Sequence, residues 1–223
     1  MNQLERNQSI LHKYIPEKAV PTISEWIYKY DFKLRIKKSR ASKYGDYRPP
    51  TRGENHLITI NYDMNPYAFL ITLIHEIAHL TNWNKYKNAV LPHGPEWKLE
   101  FKILMNYFLH EQIFPDDVTL ALKKYMQDPA ASSCSDTMLL RALKKYDHRQ
   151  DTILLEELPE GATFRYNKER TFIKNELVRK RYKCKELKSN RTYLFNPLTE
   201  VELVSVPQKQ GLKDGFGIFS QPK

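Results

Sequence analysis

A chain of 223 residues with 41% hydrophobic side chains, 14 Tyr, 10 Phe and only 7 Gly is composed like a folded protein, which argues against a disordered or low-complexity chain. Its length suits one large domain, or a catalytic domain with a small appendage. A formal net charge of +10, from 36 Lys and Arg against 26 Asp and Glu, favours polyanionic partners such as nucleic acid, although a generally basic protein needs no such partner. Cys134 and Cys184 stand far apart with no CxxC spacing, so neither a disulfide framework nor a cysteine zinc knuckle is expected, and a reducing compartment fits. The opening MNQLERNQSILHKY lacks the apolar core of a signal peptide and no apolar run approaches a membrane span, so a cytoplasmic protein with no membrane partner is expected.

Along the chain, Ile10, Leu11, Tyr14, Ile15, Trp26, Ile27 and Tyr30 mix with charge and read as helix interrupted near Pro16 and Pro21. Phe32, Leu34 and Ile36 alternate with Lys33, Arg35 and Lys37, the period of a half-buried strand. Tyr44-Gly45-Asp46-Tyr47 and Pro49-Pro50 carry turn chemistry and Leu57 to Tyr62 is β-rich, which together suggest two or three antiparallel strands. From Pro66, the residues Phe69, Leu70, Leu73, Ile74, Ile77, Ala78 and Leu80 recur at helical spacing and predict a mostly buried helix. After a loop from Asn82 to Val90, Pro95 opens a helix with the stripe Trp97, Phe101, Leu104, Met105 and Phe108, and a further helix is expected from Asp116 to Met126.

Asp128 to Ser135 turns small and polar, which places the main boundary there; Met138 to Leu143 reads as one short amphipathic helix. Leu158-Pro159-Glu160-Gly161 marks a turn into sequence where aromatic and β-branched residues mix with cations, read as a small antiparallel β module with a core of Phe164, Phe172, Val178, Tyr182, Leu194, Phe195 and Val201. The expected organisation is an α+β catalytic domain over 1–127, a linker with a short helix over 128–161, a basic β-rich module over 162–206 and a tail over 207–223.

The strongest chemical signal is His75-Glu76-Ile77-Ala78-His79. Imidazoles at i and i+4 share one helical face and can bind one zinc ion together, and a carboxylate between them can take a proton from water and pass it to a leaving amine. A pair of helical histidines can also be ordinary core or surface residues. Catalytic zinc needs three protein ligands and an open position, so a third donor is expected downstream. His93, in Leu91-Pro92-His93-Gly94-Pro95, is the prime candidate, because Pro and Gly fix a turn that can aim it back; Glu96 and Glu100 are the alternatives. His12, His56, His110 and His148 have no partner at ligand spacing, and Trp83, Tyr86 and Trp97 are read as packing residues.

HEIAHL followed by a loop and HGPEWK resembles the SprT-like, or Spartan-type, metallopeptidase family over roughly residues 5 to 125. The resemblance implies a zincin-like domain, a small sheet with the HExxH helix, in which His75, His79 and His93 hold Zn2+ and Glu76 is the general base. It implies a protein substrate, bound or crosslinked to DNA. Members often carry a C-terminal zinc ribbon, but here Cys184 stands alone where paired cysteines are needed, so a ribbon-shaped module without zinc is expected.

Between Arg165 and Arg191 lie eleven basic residues against three acidic ones, interleaved with Tyr166, Phe172 and Tyr182. Arg165, Lys168, Arg170, Arg179, Lys180, Arg181 and Lys183 are the candidate nucleic-acid contacts, through phosphate pairing and base stacking. A solvated strand face or a protein-docking surface would look the same. The competing reading of the whole chain is a nucleic-acid-binding or regulatory protein whose zinc is not catalytic.

Overall fold

The computed structural model describes residues 3–40, 43–51, 53–130, 136–147 and 153–207. The chain divides into two compact units, residues 1–148 and 149–223, and together they have the expected α+β composition: helices and a small sheet in the first, a larger sheet in the second.

In the first unit, α1 (Gln3–Leu11) precedes a 3₁₀ turn (Glu17–Ala19) and α2 (Val20–Lys29), with Pro16 before the turn and Pro21 in the first turn of α2, where a missing N–H is harmless. Three strands follow: β1 (Phe32–Lys37), β2 (Gly45–Arg48) and β3 (His56–Asn61). Their order is β1-β3-β2, with β1 parallel and β2 antiparallel to β3, so the sheet is mixed rather than antiparallel as expected. Burial explains the difference. Five of the six residues of β3 are buried, whereas β1 alternates and β2 is half-exposed, so β3 takes the centre and leaves the other two at the edges. The segment read as turn sequence, Tyr44 to Tyr47, thereby supplies an edge strand. Arg40 secures its entrance: its Nε donates to Asn61 Oδ1 at 2.9 Å, and Asn61 Nδ2 returns hydrogen bonds to the carbonyls of Arg40 at 3.3 Å and Lys43 at 3.0 Å.

The long helix α3 (Pro66–Tyr86) runs 21 residues, a turn further than the sequence suggested. Asn65 caps it, accepting from the N–H groups of Tyr67 and Ala68, while its Nδ2 donates to Leu143 O at 2.9 Å and Asp147 Oδ1 at 2.7 Å. One side of α3 packs on the sheet and another on α4 (Pro95–His110), which is why its apolar residues wrap most of its surface. Next come α5 (Asp116–Tyr125) and α6 (Thr137–Lys144), the latter capped by Asp136. Leu139, Ala142 and Leu143 of α6 join the main core, so the helix expected in a linker belongs to the first unit, and the division falls after it. A short amphipathic helix can bury its stripe only against a neighbour, and α5 provides it.

The second unit is a six-stranded antiparallel sheet: β4 (Ile153–Leu154), β5 (Thr163–Tyr166), β6 (Arg170–Val178), β7 (Arg181–Glu186), β8 (Thr192–Phe195) and β9 (Glu200–Ser205), in the order β4-β9-β5-β6-β7-β8. Gly161, with φ +82°, makes the turn before β5. Its core is Leu155, Leu158, Ala162, Phe164, Phe172, Cys184 and Val201, with Tyr182 and Phe195 packed against it. Two expected core residues lie outside it. Leu194 alternates with the inward Tyr193 and Phe195, and Val178 ends β6 beyond a register shift between Lys174 and Leu177. Cys184 is a buried core residue, its thiol pushed up to about 11 by burial. Lys174 also points inward; its Nζ donates to the carbonyls of Leu158 at 2.5 Å and Glu156 at 3.3 Å and lies 4.0 Å from the centre of the Tyr182 ring. Cys134 and the expected tail from residue 208 lie outside the described residues.

Candidate metal centre

Helix α3 carries His75 and His79 one turn apart, and the reversal between α3 and α4 returns His93 to them. Nε2 of His79 and Nε2 of His93 each lie 3.3 Å from Nε2 of His75, and a ligand atom of each of the three lies within 4.8 Å of the others. Hydrogen bonding alone does not account for this. A neutral imidazole nitrogen carries either one proton or one lone pair, so His75 Nε2 cannot satisfy two such neighbours. A tetrahedral metal with bonds of about 2.0–2.1 Å to nitrogen sets its ligand atoms about 3.3–3.4 Å apart, the spacing found here. The three residues therefore fit a metal ion.

Trp97 forms the floor. It is fully buried in the first turn of α4, with its ring centre 4.6 Å from that of His75, 5.2 Å from His79 and 4.8 Å from His93. Among the described residues Nδ1 of His75 finds no hydrogen-bond partner, so packing on Trp97 and Phe101 orients this ring in place of the usual outer-shell acceptor. Burial holds all three imidazoles neutral, the form that ligates: His75 lies well below the ordinary histidine value, His79 falls to about 3 and His93 is lowered.

Glu76 is 6% exposed, and burial, reinforced by the charge of Asp46, raises its carboxyl to about 8, while the backbone N–H of Tyr47 works in the opposite direction. A dication beside it would also favour the carboxylate. Strand β2 runs directly against this group. A Cβ at Gly45 would overlap Glu76 Oε1 and come within 2.9 Å of both Glu76 Cγ and Thr72 Cγ2, so only glycine lets the strand approach. Gly45→Ala is expected to displace the carboxylate and lower any turnover that uses it about 10–100-fold, with a stability loss of about 1–3 kcal/mol from overpacking; thermal melts and kcat measured side by side check this, and an unchanged kcat would count against the placement.

These groups open on a cleft of about 580 Å³, lined by the three histidines, Glu76, strand β2, the end of α3 and the turn that follows it to Pro92. Sequence reasoning missed several of its walls. Tyr47 on β2 has its ring nearly parallel to that of His79, at 6.4 Å, and its hydroxyl is hydrogen-bonded to His56 Nδ1 at 2.9 Å. His56, read as an ordinary residue, is 9% exposed and fixes the edge strand from the neighbouring β3, while Trp83 packs edge-on against it at 5.3 Å. The available signal was weak: a tyrosine two positions from Gly45. Asn82, at i+7 from His75, also lines the cleft.

The alternatives for the third ligand are placed elsewhere. Glu100 accepts from Lys85 Nζ at 2.5 Å, joining α4 to α3, and Glu96 turns back toward Gly94 at its own helix N-terminus. Neither joins the three-histidine group, which is the one metal-ligating cluster among the described residues. His12 and His110 are exposed, and His148 lies outside the described residues.

The seven basic candidates of the second unit do not form one patch. Arg165 pairs with Glu202 at 3.4 Å, Lys183 with Glu176 at 2.9 Å, and Arg170 with Glu186 at 2.6 Å while lying 4.5 Å from the centre of the Tyr193 ring. Lys168 sits in the β5–β6 turn, whereas Arg179 and Lys180 form the β6–β7 turn and Arg181 opens β7. The two turns stand at opposite ends of β6, about 30 Å apart at the rise of an extended strand.

No protein-family model matches the chain, and no curated protein or solved structure was found to be similar to it. None of the helices described is long and apolar enough to cross a membrane.

Proposed function

We propose that this protein is a zinc-dependent endopeptidase of SprT-like type, acting on proteins associated with or crosslinked to DNA. The observation that carries the reading is the convergence of three neutral histidine nitrogens beside a buried carboxylate, facing an open cleft. His75, His79 and His93 would hold the ion. Zinc, when bound, supplies Lewis acidity toward a carbonyl oxygen and lowers the pKa of water. Glu76 takes the proton of the attacking water and delivers it to the leaving nitrogen. Gly45 and the Tyr47 N–H keep that carboxylate in place, and Trp97 keeps the imidazoles in theirs.

A zinc-holding regulatory protein is the rival. Structural zinc sites are normally closed by a fourth protein ligand, whereas here three histidines converge and the cleft adjoins them. In the second unit, Arg179 and Lys180 in the β6–β7 turn and Arg181 at the start of β7 put three cations side by side, and these are the proposed phosphate contacts.

Zinc-loaded protein is expected to cleave denatured casein, to lose that activity on chelation and to regain it with zinc. Added DNA should stimulate cleavage, and the stimulation should weaken as salt rises. Cleavage indifferent to DNA and salt would remove the nucleic-acid part alone; a zinc-loaded chain inert with and without DNA would favour the regulatory reading.

A further inference from the structure

The cleft contains a polar group that the hydrolytic chemistry leaves unused. Asn82 follows His79 by three positions and His75 by seven, so it shares their face of α3. It is 5% exposed and lines the cleft, yet its Oδ1 is shielded from solvent and has no hydrogen-bond donor among the described residues. The buried positions around it on α3 are mostly apolar, from Phe69 to Leu80. A buried amide oxygen without a donor is unfavourable and uncommon, and one in a cleft wall is accounted for if its donor arrives with the ligand.

The chemistry of the wall narrows the donor. A cationic ligand group would favour the carboxylates of the same cleft, Asp46 and Glu76, over a neutral amide. A neutral N–H suits Asn82 better, and a peptide backbone presents one at nearly every residue. Asn82 lies about 4.5 Å beyond His79 along the helix axis, between one and two residues of extended chain.

We propose that Asn82 is a substrate-contact residue whose side-chain amide turns into the cleft when peptide binds, its oxygen accepting a hydrogen bond from a backbone N–H one or two residues from the bond that is cut. This deepens the peptidase reading and rests on it. It also explains why a polar residue stands where the packing of α3 would accept an apolar one.

The test compares two probes on zinc-loaded protein by calorimetry: acetohydroxamate, which offers only a metal-binding group, and a panel of tripeptide hydroxamates, which add backbone. In Asn82→Ala and Asn82→Leu, zinc content and acetohydroxamate affinity should stay at wild-type values, while the tightest tripeptide hydroxamate should weaken roughly three- to tenfold, the value of one neutral hydrogen bond. Replacing the responsible backbone amide of the probe by an ester should cost the wild type the same factor and the variants nothing. Unchanged tripeptide affinity in both variants overturns the proposal, as does loss of zinc in both, which would make Asn82 a support of the metal. If no tripeptide hydroxamate binds the wild type more tightly than acetohydroxamate does, the peptide reading itself fails and the proposal falls with it.

Discussion

Glu76→Gln is expected to lower kcat for peptide cleavage about 10²–10⁴-fold, the usual worth of a positioned acid–base group, while zinc stays bound at about one per chain. The argument is geometric before it is electrostatic. Glu76 follows His75 directly on α3, so it projects from the helix beside the ligand face, and β2 closes over it with Gly45 against its carboxylate and the Tyr47 N–H as a donor. Glutamine has nearly the same shape, so it should fill this pocket without moving the strand, but it cannot accept and release a proton. Burial already favours the neutral form of the glutamate in the absence of a metal, with its carboxyl near 8. The chelated Gln variant should accordingly melt no lower than chelated wild type. Metal analysis, steady-state kinetics and melting curves together check this, and a Gln variant that keeps wild-type kcat would remove Glu76 from the chemistry.

The second large effect concerns His93. His93→Ala should weaken zinc binding by more than the roughly 10–100-fold typical of losing an outer-shell partner, since it removes one of the three proposed ligands. Cleavage should fall with it. The residue sits where the Leu91–Gly94 turn, closed by Gly94 N to Leu91 O at 3.1 Å, leads into α4, so truncating its half-buried side chain leaves the surrounding backbone bonds intact. His110→Ala, at the exposed far end of the same helix, is the control and should leave zinc content and activity unchanged. Elemental analysis of the dialysed proteins decides the matter: zinc retained undiminished in His93→Ala would mean that the third ligand has been misassigned.

The helices were legible because each carries its own punctuation. Pro66 and Pro95 open α3 and α4, and the helical period of Leu73, Ile77 and Leu80 places His75 and His79 on a common face without knowledge of anything beyond that segment. The end of α3 was less legible, since Asn82 and Asn84 suggest a loop, while contacts such as Lys85 with Glu100 extend the helix by another turn. Likewise α6 has the sequence of a short amphipathic helix in either setting, and it is tertiary contact, the burial of Leu139, Ala142 and Leu143 in the main core together with the Asn65 bonds to Leu143 and Asp147, that attaches it to the first unit.

Local sequence therefore determined the α+β composition, the pairing of His75 with His79 and the adjacency of Glu76, because helical geometry is set by neighbours three and four positions away. Tertiary structure decided what depends on segments distant in the chain. It placed β3 between β1 and β2, brought Gly45 and Tyr47 against Glu76, slid Trp97 beneath three imidazoles, and left Asn82 Oδ1 buried without a donor among the described residues. It also separated the basic residues that a linear reading had grouped, sending Lys168 and Arg179 to opposite ends of one strand. The physical reason is the same in each case: periodicity fixes which face a residue occupies, but which surface meets that face is settled by burial of the whole chain at once.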